Sequence, residues 1–342
     1  MTRAEGFVVF SCADESFAWA CEEIREAFGR GSSVRRLGPD LGAIDGPSVV
    51  DVAAVSSQCR LVFVRHLTVG VEFVPRADAT ELPRLAAVAC AAATSKWPRG
   101  PLAVQTWESG SSGLSFGSAE LFAEIGRQLG ERDYSVARAG ESHILSCCMT
   151  ESGVLVGVND LELSLADWPG ERLRLARRPD RISRSEFKLT ELFKLHPIGL
   201  PSGRALDLGA APGGWTHVLR ELGMSVVAVD PGDLDARLAA DSGVAHARQT
   251  AGTFLRSSPG TFALVVNDMR MDPLRSSEVM LQAASVLDRG GFAVVTLKTG
   301  ATAAVELAHR CLDVLASRYE VLFARQLYHN RLEITVLARR AG

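Results

Sequence analysis

The residues able to do chemistry crowd into the second half of this 342-residue chain. In Leu206-Asp207-Leu208-Gly209-Ala210-Ala211-Pro212-Gly213-Gly214-Trp215 an apolar strand enters a glycine-rich turn, and a helix follows. Such a turn lets a ligand approach bare backbone, and the first amides of the helix are unspent donors. Ser225 to Val229 forms a second apolar strand that runs into Asp230. An acid at that point is placed to bind a pair of ribose hydroxyls. Pro212 interrupts the G-x-G-x-x-G spacing of a dinucleotide site, which argues against a nicotinamide dehydrogenase. A nucleoside cofactor without a pyrophosphate suits the turn better, and S-adenosylmethionine is one.

Four charged residues stand at suggestive places around this turn. Asp268 ends the fourth strand of this half, in Val265-Val266-Asn267-Asp268. Lys298 ends the fifth, in Val294-Val295-Thr296-Leu297-Lys298. Glu333 lies in the last strand, and Lys188 in the helix that enters the half. Ligands of open α/β sheets sit outside the carboxyl ends of the strands. A lysine closing an apolar strand is costly unless it is exposed, paired or functional. Two lysines and two acids can neutralise one another around one site and would titrate as a group. Taken singly, Lys188 can also be a surface helix residue, Lys298 a solvated strand end, and Glu333 a sheet-edge charge beside Arg331.

Three segments carry a resemblance: Ser183-Arg184-Ser185, Ala211-Pro212-Gly213-Gly214-Trp215-Thr216 and Arg325-Gln326-Leu327-Tyr328-His329-Asn330. Together they resemble the bacterial 23S rRNA cytidine ribose 2′-O-methyltransferases of the RlmM type, within the FtsJ/RrmJ group, over residues 183–340. The first half matches more loosely, through Val8-Val9-Phe10-Ser11-Cys12 and the helix after it. The resemblance implies a ferredoxin-like start, a THUMP-like RNA-binding unit and a class I (Rossmann-like) methyltransferase domain. It implies a catalytic tetrad of Lys188, Asp268, Lys298 and Glu333 with Lys298 as proton acceptor. It also implies cofactor contacts from Ser185, Ala211, Pro212, Gly213, Gly214, Asp230 and Asp268, and an RNA substrate, 23S rRNA. One departure stands out. Where the family has an acid after the third strand, this chain has Thr250, a weaker acceptor than a carboxylate.

The chemistry follows from those groups. A ribose hydroxyl must lose its proton to attack a methyl group held in line with it. A lysine at its usual pKa of about 10.4 is protonated and accepts nothing. Burial, a cationic cofactor and a second lysine favour the neutral amine, whereas Asp268 and Glu333 favour the ammonium and orient it. Two rival readings remain: an RNA-binding protein with a degenerate methyltransferase domain, which Thr250 favours, and a small-molecule O-methyltransferase.

The positioning elements divide the chain. Residues 1–80 read as an α+β unit, with strands at 6–11, 49–55 and 61–69 and a helix over 13–28; the resemblance implies that it is ferredoxin-like. Residues 81–165 read as a second α+β unit, with helices at 81–94 and 118–129, a strand at 102–107 and a hairpin of 142–149 with 153–159; the resemblance implies that it is THUMP-like. Residues 166–184 form a basic linker. From 185 to 342, apolar strands at 204–209, 225–230, 244–249, 262–268 and 291–298 alternate with helices, among them 274–288 and 302–317. That pattern predicts a parallel sheet covered on both faces. Segments 319–327 and 331–340 close it as an antiparallel hairpin.

Charge is uneven. Residues 1–170 carry 14 basic and 22 acidic side chains, and residues 171–342 carry 23 and 18. Arg172, Arg174, Arg177, Arg178, Arg181 and Arg184 make a stripe suited to RNA phosphates, or simply a solvated linker. The seven cysteines show no C-x-x-C and no cysteine–histidine cluster, which predicts reduced thiols, a cytoplasmic setting and no metal site. No apolar run reaches membrane-spanning length, and Phe7 to Phe10 is too short for the apolar core of a signal peptide.

Overall fold

A computed structural model describes the chain except for residues 1–6, 47–48, 57–60, 172, 174, 176–177, 197–198, 200–202, 258–259 and 301. The chain divides into two compact units, Met1–Leu173 and Arg174–Gly342.

The first unit is built on one eight-stranded sheet. Its strands are β1 (Phe7–Ser11), β2 (Val34–Gly38), β3 (Leu41–Asp45), β4 (His66–Pro75), β5 (Pro101–Glu108), β6 (Ser135–Ala137), β7 (His143–Met149) and β8 (Gly153–Asp160). Their order is β2-β3-β1-β4-β8-β7-β5-β6. Strand β4 pairs with β1 up to Gly70 and with β8 from Gly70 onward, across a bulge. Residues 1–80 and 81–165 therefore share a single sheet. Helices α1 (Phe17–Phe28), α2 (Val49–Ser56), α3 (Leu82–Lys96) and α4 (Ser118–Gly130) complete the unit. On α4, Leu121, Ile125 and Leu129 recur every four residues and are fully buried, so one stripe of the helix enters the core. The hairpin expected from 142–149 and 153–159 is present as β7 and β8.

Two expected strands of this unit are corrected. The run 49–55 is helix α2, since a short apolar stretch does not separate strand from helix by periodicity. The strand expected over 61–69 starts only at His66. Before it, the backbone amides of Val62, Phe63 and Val64 donate to the buried carboxylate of Glu23 at 2.9, 2.9 and 3.2 Å, where a strand would use a ladder. The six described cysteines are free and buried; Cys59 lies outside the described residues. Among the described residues, no helix is long and apolar enough to cross a membrane.

The second unit alternates strand and helix. It comprises α5 (Glu186–Leu195), β9 (Arg204–Leu208), α6 (Gly214–Glu221), β10 (Ser225–Val229), α7 (Ala236–Ala239), β11 (Val244–Ala247), α8 (Ala251–Arg256), β12 (Phe262–Asn267), α9 (Pro273–Ala283), β13 (Leu287–Leu297), α10 (Ala304–Ala316), β14 (Tyr319–Arg325) and β15 (Ile334–Arg340). The seven strands lie in the order β11-β10-β9-β12-β13-β15-β14. The first five are parallel, and β15 inserts antiparallel between β13 and β14. This is the class I (Rossmann-like) methyltransferase sheet with its closing hairpin. Every residue of β12 is buried, which accounts for its continuous apolar run. Strand β12 stops at Asn267 and β13 at Leu297, each one residue before the expected end, and β15 begins at Ile334, three residues after its expected start. Asp268, Lys298 and Glu333 thus sit just outside the sheet, at the ends of its strands.

Candidate active site

The order of the parallel strands reverses between β9 and β12, and ligands of such sheets sit above that point. Here a cavity of about 250 Å³ opens, lined by Ser183, Ser185, Asp207, Gly209, Ala210, Ala211, Pro212, Gly214, Trp215 and Asp268. The turn between β9 and α6 shapes its wall. Gly213 caps α6 at φ 113°, a conformation that side chains other than glycine's rarely adopt. At Gly214 a methyl group would lie 2.1 Å from the Ser183 hydroxyl oxygen and 2.7 Å from that of Ser185, so only glycine lets the helix start this close to residues 183–185. The Trp215 indole N–H donates to the Ser185 carbonyl at 2.9 Å and fastens the same segment.

Asp207 is a buried residue of the cavity lining and accepts from the Thr216 hydroxyl at 2.7 Å. Burial pushes its carboxyl up to about 7, the Thr216 bond only partly opposing it. Its folded value thus lies above its unfolded one. The stability it contributes is present below pH 4 and is lost as pH rises through 7. That loss is on the order of 2–4 kcal/mol. In cofactor-free protein, Asp207→Asn should be more stable than the wild type at pH 8, with the gap closing toward pH 4. A gap that did not change with pH in denaturant titrations would contradict this.

Beside the cavity, the four charged residues singled out in the sequence meet. Lys188 donates to both oxygens of Asp268 at 2.8 and 2.9 Å and lies 2.9 Å from Glu333 Oε1. Lys298 donates to Asp268 Oδ1 at 2.6 Å, to the Thr296 hydroxyl at 2.8 Å and to Glu333 Oε2. Each amine bridges both acids, so the group is a closed ring of two positive and two negative charges. Side-chain exposures of 11–22% make it partly desolvated, which strengthens each contact. For Lys188, burial works against the charged amine, but Asp268 and Glu333 together outweigh it and hold its pKa above the usual lysine value. For Asp268 and Glu333, burial likewise opposes the charge. Lys188 and Lys298 outweigh it and keep both carboxyls below their ordinary range.

The structure brings Lys188, Asp268, Lys298 and Glu333 together, and places Ser185, Ala211, Pro212, Gly214 and Asp268 on the cavity. Asp230 stands next to this wall. It accepts from the Ala211 amide at 3.3 Å and the Gly232 amide at 2.7 Å. Thr250 does not line the cavity; it is exposed and caps α8 by accepting from the Thr253 amide. Sequence reasoning did not single out Asp207 or Thr296. Asp207 was legible as an acid inside an apolar strand, whereas nothing in the sequence distinguishes Thr296.

In the arginine stripe, Arg172, Arg174 and Arg177 lie outside the described residues. Arg178 is paired with Asp180 at 2.7 Å and Glu221 at 2.5 Å, and the Arg181 guanidinium lies 3.5 Å from the centre of the Phe187 ring. Arg184 is exposed. Asp180, Glu221 and His217 come close enough to surround an ion, but both carboxylates already receive Arg178.

Residues 181–314, in the second unit, match the model of the FtsJ-like methyltransferase family. The relatives that share more of the chain are proteins named ribosomal RNA large subunit methyltransferase M. The one from Halorhodospira halophila is 38% identical over 177 residues, 51% of this chain and 51% of that protein. That from Xanthomonas campestris is 35% identical over 221 residues, 61% of each. That from Alkalilimnicola ehrlichii is 36% identical over 225 residues, 63% of this chain and 61% of its own. The chain thus spans between half and about three-fifths of the length of these relatives. Among solved structures, TrmN from Thermus thermophilus covers 98% of this chain at 16% identity and a TM-score of 0.38.

Proposed function

We propose that this chain transfers a methyl group from S-adenosylmethionine to a ribose 2′-hydroxyl of RNA, with 23S rRNA as the substrate and the cytoplasm as the setting. The observation that carries this reading is the closed ring of Lys188, Asp268, Lys298 and Glu333, one member of which, Asp268, also lines the cavity. The cavity suits the cofactor. Its glycine turn admits a ligand to the backbone, and the buried Asp207 carboxyl calls for a positive group such as an α-ammonium. Ser185, Ala211, Pro212, Gly213, Gly214 and Asp268 would hold it, with Asp230 at the ribose and Thr250 near the base. When bound, the cofactor supplies a methyl group made electrophilic by a sulfonium.

The chain's own residues then do the rest. Asp268 and Glu333 fix the direction of the Lys298 amine, and Lys188 stays protonated between the same acids and keeps both ionised. Lys298 would accept the proton that the ribose hydroxyl gives up on becoming a nucleophile. Arg184, Arg270 and Arg331 are exposed and lie within four residues of a ring member in sequence, available to RNA phosphates. The acidic first unit would serve as the RNA-binding module of the resemblance. A second reading, cofactor binding without turnover, is favoured by one observation: Thr250 stands exposed where the family has an acid.

Incubation of the purified chain with large-subunit rRNA and methyl-labelled S-adenosylmethionine should place label in alkali-resistant 2′-O-methylribose. Label confined to bases would overturn the reading. Cofactor binding with no transfer to rRNA would favour the second one.

A further inference from the structure

Glu191 lies on α5 one turn after Lys188, and its side chain is wholly buried. Its carboxylate is spent on a single loop. It accepts from the Tyr328 amide at 2.7 Å, the His329 amide at 2.9 Å and His329 Nδ1 at 2.7 Å. A carboxylate only accepts, so His329 carries its proton on Nδ1. The His329 ring stacks on Phe187, the residue before Lys188, with centres 4.6 Å apart and planes 15° from parallel. The loop is then locked toward Glu333. Asn330 Oδ1 accepts from the Leu327 amide at 2.8 Å and the Thr335 hydroxyl at 3.0 Å, and Asn330 Nδ2 donates to Glu333 Oε1 at 3.3 Å. None of Glu191, Tyr328, His329 and Asn330 lines the cavity at the glycine turn. Burying a carboxylate is costly unless donors compensate, and here the three donors belong to Tyr328 and His329, in the segment that leads to Glu333.

We infer that Glu191 and His329 are positioning residues: they tie the loop bearing Glu333 to the helix bearing Lys188 and so set the spacing of the charged ring. The inference rests on the reading of that ring as the proton-handling site. It accounts for a fully buried acid one turn beyond Lys188, at a position where an apolar side chain would leave the Tyr328 and His329 amides without this acceptor.

The test compares Glu191→Gln, His329→Phe, Glu333→Gln and the Glu191/Glu333 double variant. Glu191→Gln turns an amide nitrogen toward amide donors and should lower kcat for ribose methylation on the order of ten- to a hundredfold, with the Kd for S-adenosylmethionine held within about twofold. On the Glu333→Gln background the same change should cost less than about twofold, because its effect passes through Glu333. Equal losses on both backgrounds would overturn the inference, as would a wild-type kcat. If Glu191→Gln does not fold, His329→Phe carries the same cycle, since it keeps the ring stack and the backbone amide and loses only the Nδ1 bond. A readout free of turnover separates this inference from the function. In ¹⁵N-lysine-labelled protein, the Nζ signals of Lys188 and Lys298 should move in Glu191→Gln, and unmoved signals would overturn the positioning role. A wild-type protein that forms no 2′-O-methylribose would defeat the proposed function instead and leave those signals to decide the positioning.

Discussion

Lys298→Ala should lower ribose methylation by 10²–10⁴-fold or more, the range of a lost general base, and leave S-adenosylmethionine binding close to wild type. The separation follows from the geometry. The Lys298 amine contacts Asp268, Thr296 and Glu333, and it does not line the cavity formed by the glycine turn. Lys298→Arg should fail as completely, because a guanidinium keeps the charge and accepts no proton. Single-turnover methylation and calorimetry on the same samples check both parts. Normal turnover by the arginine variant would show that Lys298 acts as a positive charge alone.

Asp268→Ala should unfold the second unit more easily by about 3–5 kcal/mol, the cost of breaking a buried pair from one side. Asp268 accepts from Lys188, Lys298 and Thr296, so its removal leaves two partly buried amines sharing Glu333. For a unit of this size that corresponds to a fall in Tm of roughly 10 °C or more. The pH dependence has a definite sign. Asp268 and Glu333 are held below their ordinary values, so their contribution is present above about pH 4 and is lost as pH falls through the depressed values. Lys188 is held above its ordinary value, so its contribution is present below about pH 10 and is lost as pH rises through the raised one. The difference between wild type and Asp268→Ala should therefore be flat across neutral pH and shrink at the two extremes. A difference that peaked or vanished near pH 7 would contradict the ring.

The second unit was largely legible because its central strands β9 and β12 are buried along nearly their whole length and its parallel strands alternate with helices, a pattern that admits few sheets. The ring residues were legible for a related reason: Asp268 and Lys298 are charges abutting long apolar runs. What remained hidden depends on contacts far apart in sequence. Thr296 joins the ring only because β12 and β13 lie side by side, and Glu191 matters only because residues 328–329 return to it 137 and 138 positions later. In the first unit, β2 carries two arginines and a glycine, and β3 a further glycine, in place of an alternating apolar pattern, so nothing local announces them. The stretch before β4 read as strand because its residues suit one. Its amides are claimed by Glu23, an acid some 40 residues earlier, which no local pattern reveals.

The central claim is that this chain modifies a ribose in large-subunit RNA through the ring at Lys298. It is tested most directly by mapping 2′-O-methylated nucleotides in 23S rRNA from cells with the gene, without it, and with the Lys298→Ala form in its place. The account predicts one ribose position that is methylated with the intact gene, unmodified without it, and unmodified with the variant. An identical methylation map in all three strains would contradict it.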